Sequence, residues 1–235
     1  MMNQSSFANI HAIVPVKVPN GSKTRLSRRL NVNQRANLTI TMLINVLTAL
    51  KRSSSVNSVT VVCADREVQP IVEGCDAAFL WEGRRRGLNP ALDFAMQEVP
   101  ADSSVLIIHA DLPLVTSFDV DSLVRRAGNC SLALAPSKDG MGTNAILMQS
   151  PNMIRLGFGN GSFHRHYALA KKMKLVLRVV RIHGVAFDVD DEQDLDELVK
   201  YYVNGQTRRV MKRIIESELA EMPPILVKIT LANAR

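Results

Sequence analysis

The stretch VLIIHADLPL, residues 105–114, decides how the rest of the chain is read. Its four apolar residues are too few for a helix and show no polar alternation. They fit a strand buried on both faces, as in a parallel sheet. A buried strand should not run into a carboxylate that lacks a partner. Yet Asp111 follows Ile108 closely, and Pro113 stops the strand from continuing. In an open α/β sheet, ligands collect beyond the carboxyl ends of the strands. Asp111 therefore stands where a divalent cation could be held, since Mg2+ takes one or two carboxylates and completes its shell with phosphate oxygens and water. Taken alone, an aspartate in such a place is more commonly a turn residue capping the next element. His109 reads as a packed or hydrogen-bonded residue rather than a catalytic one.

Outward from this stretch, strand-like runs at 11–16, 58–64, 77–82, 131–137, 143–149 and 176–182 alternate with helical patterns. The helices are expected at 33–50, from Asn89 as N-cap with Pro90 at the first helical position, near 120–127, from Ser162 onward, and after Asp191 as N-cap with Asp194 at N3. Such alternation predicts an α/β fold: a Rossmann-like, mostly parallel sheet with helices on both faces. The length of 235 residues suits one domain, 1–205, followed by a tail, 206–235, with an amphipathic helix near 207–220.

No run of 18 apolar residues occurs. The longest approach, 38–50, is broken by Thr39, Thr41, Asn45 and Thr48, and the start MMNQSSFANIH lacks the basic and apolar segments of a secretory signal. The expectation is a cytoplasmic protein without membrane contact. Three widely spaced cysteines with no CxxC pair argue against a disulfide framework or a zinc site. The net charge of +7 suits nucleic acid or small phosphorylated ligands, but aromatics are only 5% and form no RNA-binding motif. A nucleic-acid binder would show salt-dependent association without a need for metal, and the aspartates described next argue against one.

Four further segments carry chemistry. After the first strand, Lys17, Lys23 and Arg25 lie in a loop whose GSKT resembles part of a Walker motif but lacks its glycine spacing. The loop is either a solvated basic turn or a device that neutralises a triphosphate. In AFDVDDEQDLDEL, Asp188 and Asp190 share one face of an extended segment. Helix-start charge explains Asp191, Asp194 and Asp196 but not Asp188. With Asp111 they make a three-carboxylate, two-metal candidate. GMGTN (140–144) and GFGNGSFHRH (157–166) place Thr143, Gly159, Gly161 and Ser162 near a helix start, where free N–H groups hold phosphate or carboxylate. His164, Arg165 and His166 follow, as an exposed helix face or as ligand contacts. Finally, in EGRRRGLN, Gly87 and Asn89 could lie against a base or ribose, whereas Arg84–Arg86 read as a solvated turn.

Taken in order, IVPVK…SKTRL, GLNPAL, HADLPL, GTNAILM, FGNGSFHRH and FDVDDEQDL resemble the phospholactate guanylyltransferase family across roughly 10–200, with the tail beyond Gly205 outside the match. The resemblance implies a nucleotidyltransferase fold with a GT-A-like core, shared with molybdenum-cofactor guanylyltransferases. It implies transfer of GMP from GTP to 2-phospho-L-lactate, phosphoenolpyruvate or 3-phospho-D-glycerate, releasing pyrophosphate, on the route to the deazaflavin coenzyme factor 420. It further implies Mg2+, two ions with GTP bound, on Asp111, Asp188 and Asp190. The acid's carboxylate would rest on Thr143, Ser162 and Gly159 or Gly161, and Lys17, Lys23 and Arg25 would face the triphosphate. A homodimer and a downstream transferase that takes the product are open as partners. The competing reading is a GT-A glycosyltransferase or sugar-phosphate nucleotidyltransferase. A glycosyltransferase would consume a nucleotide sugar instead of releasing pyrophosphate from GTP.

Overall fold

The computed structural model describes residues 7–17 and 21–203. In chain order the strands are β1 (His11–Pro15), β2 (Ser58–Cys63), β3 (Ala78–Trp81), β4 (Val105–Ile108), β5 (Leu132–Pro136), β6 (Thr143–Met148) and β7 (Leu177–Val179). The helices are α1 (Val32–Arg52), α2 (Gln69–Gly74), α3 (Leu88–Met96), α4 (Ser117–Ala127), α5 (Ser162–Lys172), α6 (His183–Ala186) and α7 (Glu192–Val203). The tail helix expected near 207–220 and the boundary at 205 lie outside the described residues.

The strands form one sheet in the order β3-β2-β1-β4-β6-β5-β7. All neighbours are parallel except β6, which runs antiparallel to both β4 and β5. Strand residues divide by alternation. Ala12, Val14, Leu106 and Ile108 pack under α1 and α4, while Ile13, Val105 and Ile107 pack under α3 and α5. Both faces are covered, which is why these strands read as unbroken apolar runs. From β1 the chain builds outward to β2 and β3 on one side, then crosses to β4 on the other. This reversal between β1 and β4 opens a crevice at their carboxyl ends.

Two of the four polar residues that interrupt the apolar run of α1, Asn45 and Thr39, tie down the two loops leaving that crevice. The buried Asn45 amide donates to the carbonyls of Leu112, Pro113 and Val115 at 3.0–3.3 Å, giving the loop after β4 its hydrogen-bond partners. The Thr39 hydroxyl meets that of Ser22 at 2.7 Å and so holds the loop after β1. A third apolar cluster of Leu26, Leu30, Leu38, Met42, Phe187, Val189, Leu195 and Leu198 joins this loop, α1 and α7.

Several local expectations change. The helix expected near 120–127 begins at Ser117, because Thr116 and Asp119 form a capping box. The helix expected from Asn89 begins at Leu88, with Gly87 at the cap in a positive-φ conformation. Asn89 is freed from capping by the neighbouring backbone of Phe158, which its amide grips. The strand expected at 176–182 shortens to Leu177–Val179, followed by α6.

Candidate active site

A cleft of about 1220 Å³ opens along the carboxyl ends of β1–β4. It gathers side chains far apart in sequence. Lys17, Lys23, Arg25, Gly87, Asp111, Thr143, Gly159, Gly161, Ser162, Asp188 and Asp190 all line it. Asn89 does not: its amide spans the Phe158 backbone, donating to the carbonyl at 3.1 Å and accepting from the N–H at 2.7 Å. It ties α3 to the glycine loop from outside.

Two of the three carboxylates meet around one ammonium group. Lys23 Nζ donates to Asp111 Oδ2 at 2.6 Å and to Asp190 Oδ1 at 2.8 Å. Burial disfavours the charged lysine, but the two carboxylates outweigh it and raise its pKa. Burial likewise pushes Asp111 up, and Lys23 and His109 overcome it, holding the carboxyl at about 2. Asp111 Oδ1 is buried with no hydrogen-bond donor. His109 Nδ1 stands 4.0 Å from it, beyond hydrogen-bond reach. Burial keeps the pKa of His109 low, and its ring packs on Phe158 at 5.2 Å, the packed role its strand position suggested.

The Asp188 segment is extended but forms no strand. The Val189 N–H donates to the Asp111 carbonyl at 3.3 Å, and Asn144 Nδ2 donates to the carbonyls of Val185 and Ala186 and to Asp188 Oδ1 at 3.2 Å. Burial, then the charges of Asp111 and Asp190, raise the Asp188 carboxyl to about 6 against the Asn144 hydrogen bond. Asp191 and Asp194 have the helix-start role expected of them. Asp191 Oδ1 accepts from the N–H of Gln193 and Asp194, and Asp194 Oδ2 from those of Asp190 and Asp191.

Among the described residues, no three His, Cys, Asp or Glu side chains stand close enough to cage a metal unaided. Mg2+ does not require a cage of protein groups alone. An acceptor oxygen buried without a donor beside a carboxylate with a raised pKa is a donor set that a hard cation would satisfy.

Across the cleft, the glycine loop is organised by residues whose roles sequence reading left open. The Arg165 guanidinium donates to the carbonyls of Gly157 and Asn160. In a trans peptide the next N–H points the other way, so the Gly161 N–H is turned from Arg165. The N–H groups of Gly159, Asn160 and Gly161 have no acceptor among the described residues. Two helix-start N–H groups expected to be free are already engaged, Ser162 with the Gly159 carbonyl and Phe163 with that of Met141. Donors for an anion thus lie in the loop before α5 more than in its first turn. The preceding turn needs glycine at 142, where a Cβ would stand 2.8 Å from Ser137 Oγ.

His166 is buried, neither an exposed face nor a ligand contact. Its Nε2 accepts from the Gly157 N–H at 2.9 Å, and burial followed by the nearby Arg165 charge lowers its pKa to about 4. A neutral ring with Nε2 accepting carries its proton on Nδ1, which lies 3.1 Å from Thr143 Oγ1. Ser162 Oγ also donates to Thr143 Oγ1, at 3.3 Å. Thr143 Oγ1 thus accepts twice, which leaves its own proton for a ligand in the cleft. Nothing in the sequence pointed to this, because a histidine one helical turn inside α5 looks the same whether it faces in or out.

A switch-point cleft that brings together a cationic loop, three carboxylates and N–H groups without acceptors suits a phosphorylated ligand. The sequence profile described as "Guanylyl transferase CofC like" matches residues 10–223, extending past Gly205 into the tail that the motif resemblance leaves out. The chain belongs to this family. It is 38% identical to the phosphoenolpyruvate guanylyltransferase of Sphaerobacter thermophilus over 80% of this chain and 91% of the relative. It is 29% identical to the 2-phospho-L-lactate guanylyltransferase of Methanocaldococcus jannaschii over 86% and 88%. The fold matches a solved nucleotidyl transferase of Methanothermobacter with a TM-score of 0.60 at 14% identity, over 83% of this chain and 98% of that one. Among the described residues no helix is long and apolar enough to cross a membrane.

Proposed function

We propose that the chain transfers GMP from GTP to a small phosphorylated acid, phosphoenolpyruvate, 2-phospho-L-lactate or 3-phospho-D-glycerate, releasing pyrophosphate in the synthesis of deazaflavin coenzyme factor 420. The observation that carries it is Asp111 Oδ1, buried without a donor beside Lys23, Asp188 and Asp190 in a guanylyl transferase chain. Asp111, Asp188 and Asp190 would hold Mg2+. When bound, the ion would neutralise phosphate oxygens and polarise the α-phosphorus.

The acid's phosphate is largely ionised at neutral pH, its second pKa being about 6, so attack requires no general base. Its oxygen forms the new bond to the α-phosphorus of GTP. The bond from that phosphorus to the bridging oxygen breaks, and pyrophosphate leaves with the electron pair. Lys23 would turn from the carboxylates to the triphosphate, and Lys17 and Arg25 would balance charge on the leaving group. The N–H groups at 159–161 and the Thr143 hydroxyl would orient the acid's carboxylate. The remaining work is positioning and electrostatics. The same reading makes the chain a cytoplasmic enzyme, alone or as a homodimer, handing its product to a downstream transferase.

Pyrophosphate release measured with GTP and each of the three acids, with ATP as control, tests the reading. Release is expected with GTP and at least one acid; none with any of the three would sink it. Within the same assay, Thr143→Val should raise KM for the acid by about tenfold or more, the loss of a hydrogen bond to a charged group, and leave KM for GTP unchanged. An equal rise in both would show that the substitution disturbs the whole cleft.

A further inference from the structure

Glu82 follows β3 and lines the cleft, yet no step above uses it. It is 6% exposed. Its backbone N–H continues the pairing with β2 by donating to the Cys63 carbonyl at 3.2 Å, which fixes where the side chain starts. One carboxylate oxygen accepts a long 3.3 Å bond from the Arg86 N–H, and the other has no partner among the described residues. Burial raises its pKa against the Arg86 N–H and the charges of Arg86 and Arg85. A largely buried carboxylate whose second oxygen opens on the cleft has spare capacity for a donor from the ligand.

Its place indicates which donor. Two strand spacings, roughly 10 Å, separate the end of β3 from the end of β1, where the triphosphate loop begins. A ribose and base bridge such a gap. Val16, Val62, Leu88 and Ala91 line the cleft between and offer an apolar wall for a base. We infer that Glu82 reads the Watson–Crick edge of guanine, its carboxylate accepting from the N1 imino and 2-amino groups. Guanine has two adjacent donors on that edge, matching a carboxylate's paired acceptors. Adenine and cytosine set an acceptor beside their amino group, and uracil has one donor between two carbonyls, so each would place a lone pair against the carboxylate. The assignment rests on reading the cleft as a guanine-nucleotide site.

The test is the dissociation constant for GTP against that for ITP, which lacks the 2-amino group, measured by calorimetry with Mg2+ in the wild type and in Glu82→Gln. The wild type should bind GTP about tenfold or more tightly than ITP. Glu82→Gln, with a donor in place of one acceptor, should bring the two constants together. Affinity ratios within one preparation do not depend on how much of the variant is folded. Equal affinities in the wild type, or the wild-type ratio preserved in the variant, would overturn the assignment. A lost ratio in the variant, with no pyrophosphate release by the wild type, would leave the assignment standing and overturn the reaction proposed above.

Discussion

Asp111→Asn is expected to lower kcat/KM for pyrophosphate release by about a thousandfold in a chain that still folds, at some cost in melting temperature because the charge paired with Lys23 is lost. The magnitude follows from the several kcal/mol that a metal supplies to developing phosphate charge, at about 1.4 kcal/mol per factor of ten. The amide keeps the shape and can still accept from Lys23 Nζ, now 2.6 Å from Oδ2, so the fold should tolerate it. What it loses is the charge behind Oδ1, the oxygen with no donor. Turnover like that of the wild type would return Asp111 to the role of a turn aspartate and remove the metal assignment with it.

Asp188→Asn should do two things at once: abolish activity and stabilise the ligand-free protein at pH 7. The Asp188 carboxyl titrates at about 6 in the folded chain, above its ordinary value of 3.8. A raised carboxyl costs stability in full above the folded pKa, progressively less between about 6 and 4, and nothing below the unfolded value. Removing the charge should therefore add about 1–2 kcal/mol at pH 7, discounted from two pKa units, and add nothing near pH 4. Chelator-treated protein, unfolded in urea at both pH values, gives the measurement. Asp111 has the opposite sign: held at about 2, it contributes stability above its unfolded pKa, lost as pH falls from about 4 toward 2. If Asp188→Asn proved destabilising at pH 7, its carboxylate would be a satisfied structural group. A gain in stability paired with a loss of activity is what a charge kept for a ligand predicts.

Much of this was legible from local pattern. Apolar runs located six of the seven strands closely, because a strand covered on both faces can tolerate few polar residues. Strand ends marked by Asp111 and by the basic loop were legible because a carboxylate or a loop of cations beside a buried strand needs a reason. The antiparallel β6 was not: a strand's direction depends on which neighbour it meets, and Thr143–Met148 reads the same either way. Asn89 shows the same limit. Its Asn-Pro step is good helix-start chemistry, but the Phe158 backbone, 69 residues away, made a better partner.

Sequence alone determined the class of fold, the strand-end location of the site and the identities of Asp111, Asp188, Asp190 and Lys23 as residues with a charge to explain. These rest on short-range chemistry: burial pattern, capping and the cost of isolated charge. Tertiary structure decided which charges share a space. It put Lys23 Nζ between Asp111 and Asp190 across 88 and 167 residues of chain, left Asp111 Oδ1 without a donor, and turned His166 inward to direct the Thr143 hydroxyl. The reason is physical: pKa values and free donors depend on distances between segments, and those distances exist only after the sheet has closed its order and the three apolar clusters have packed.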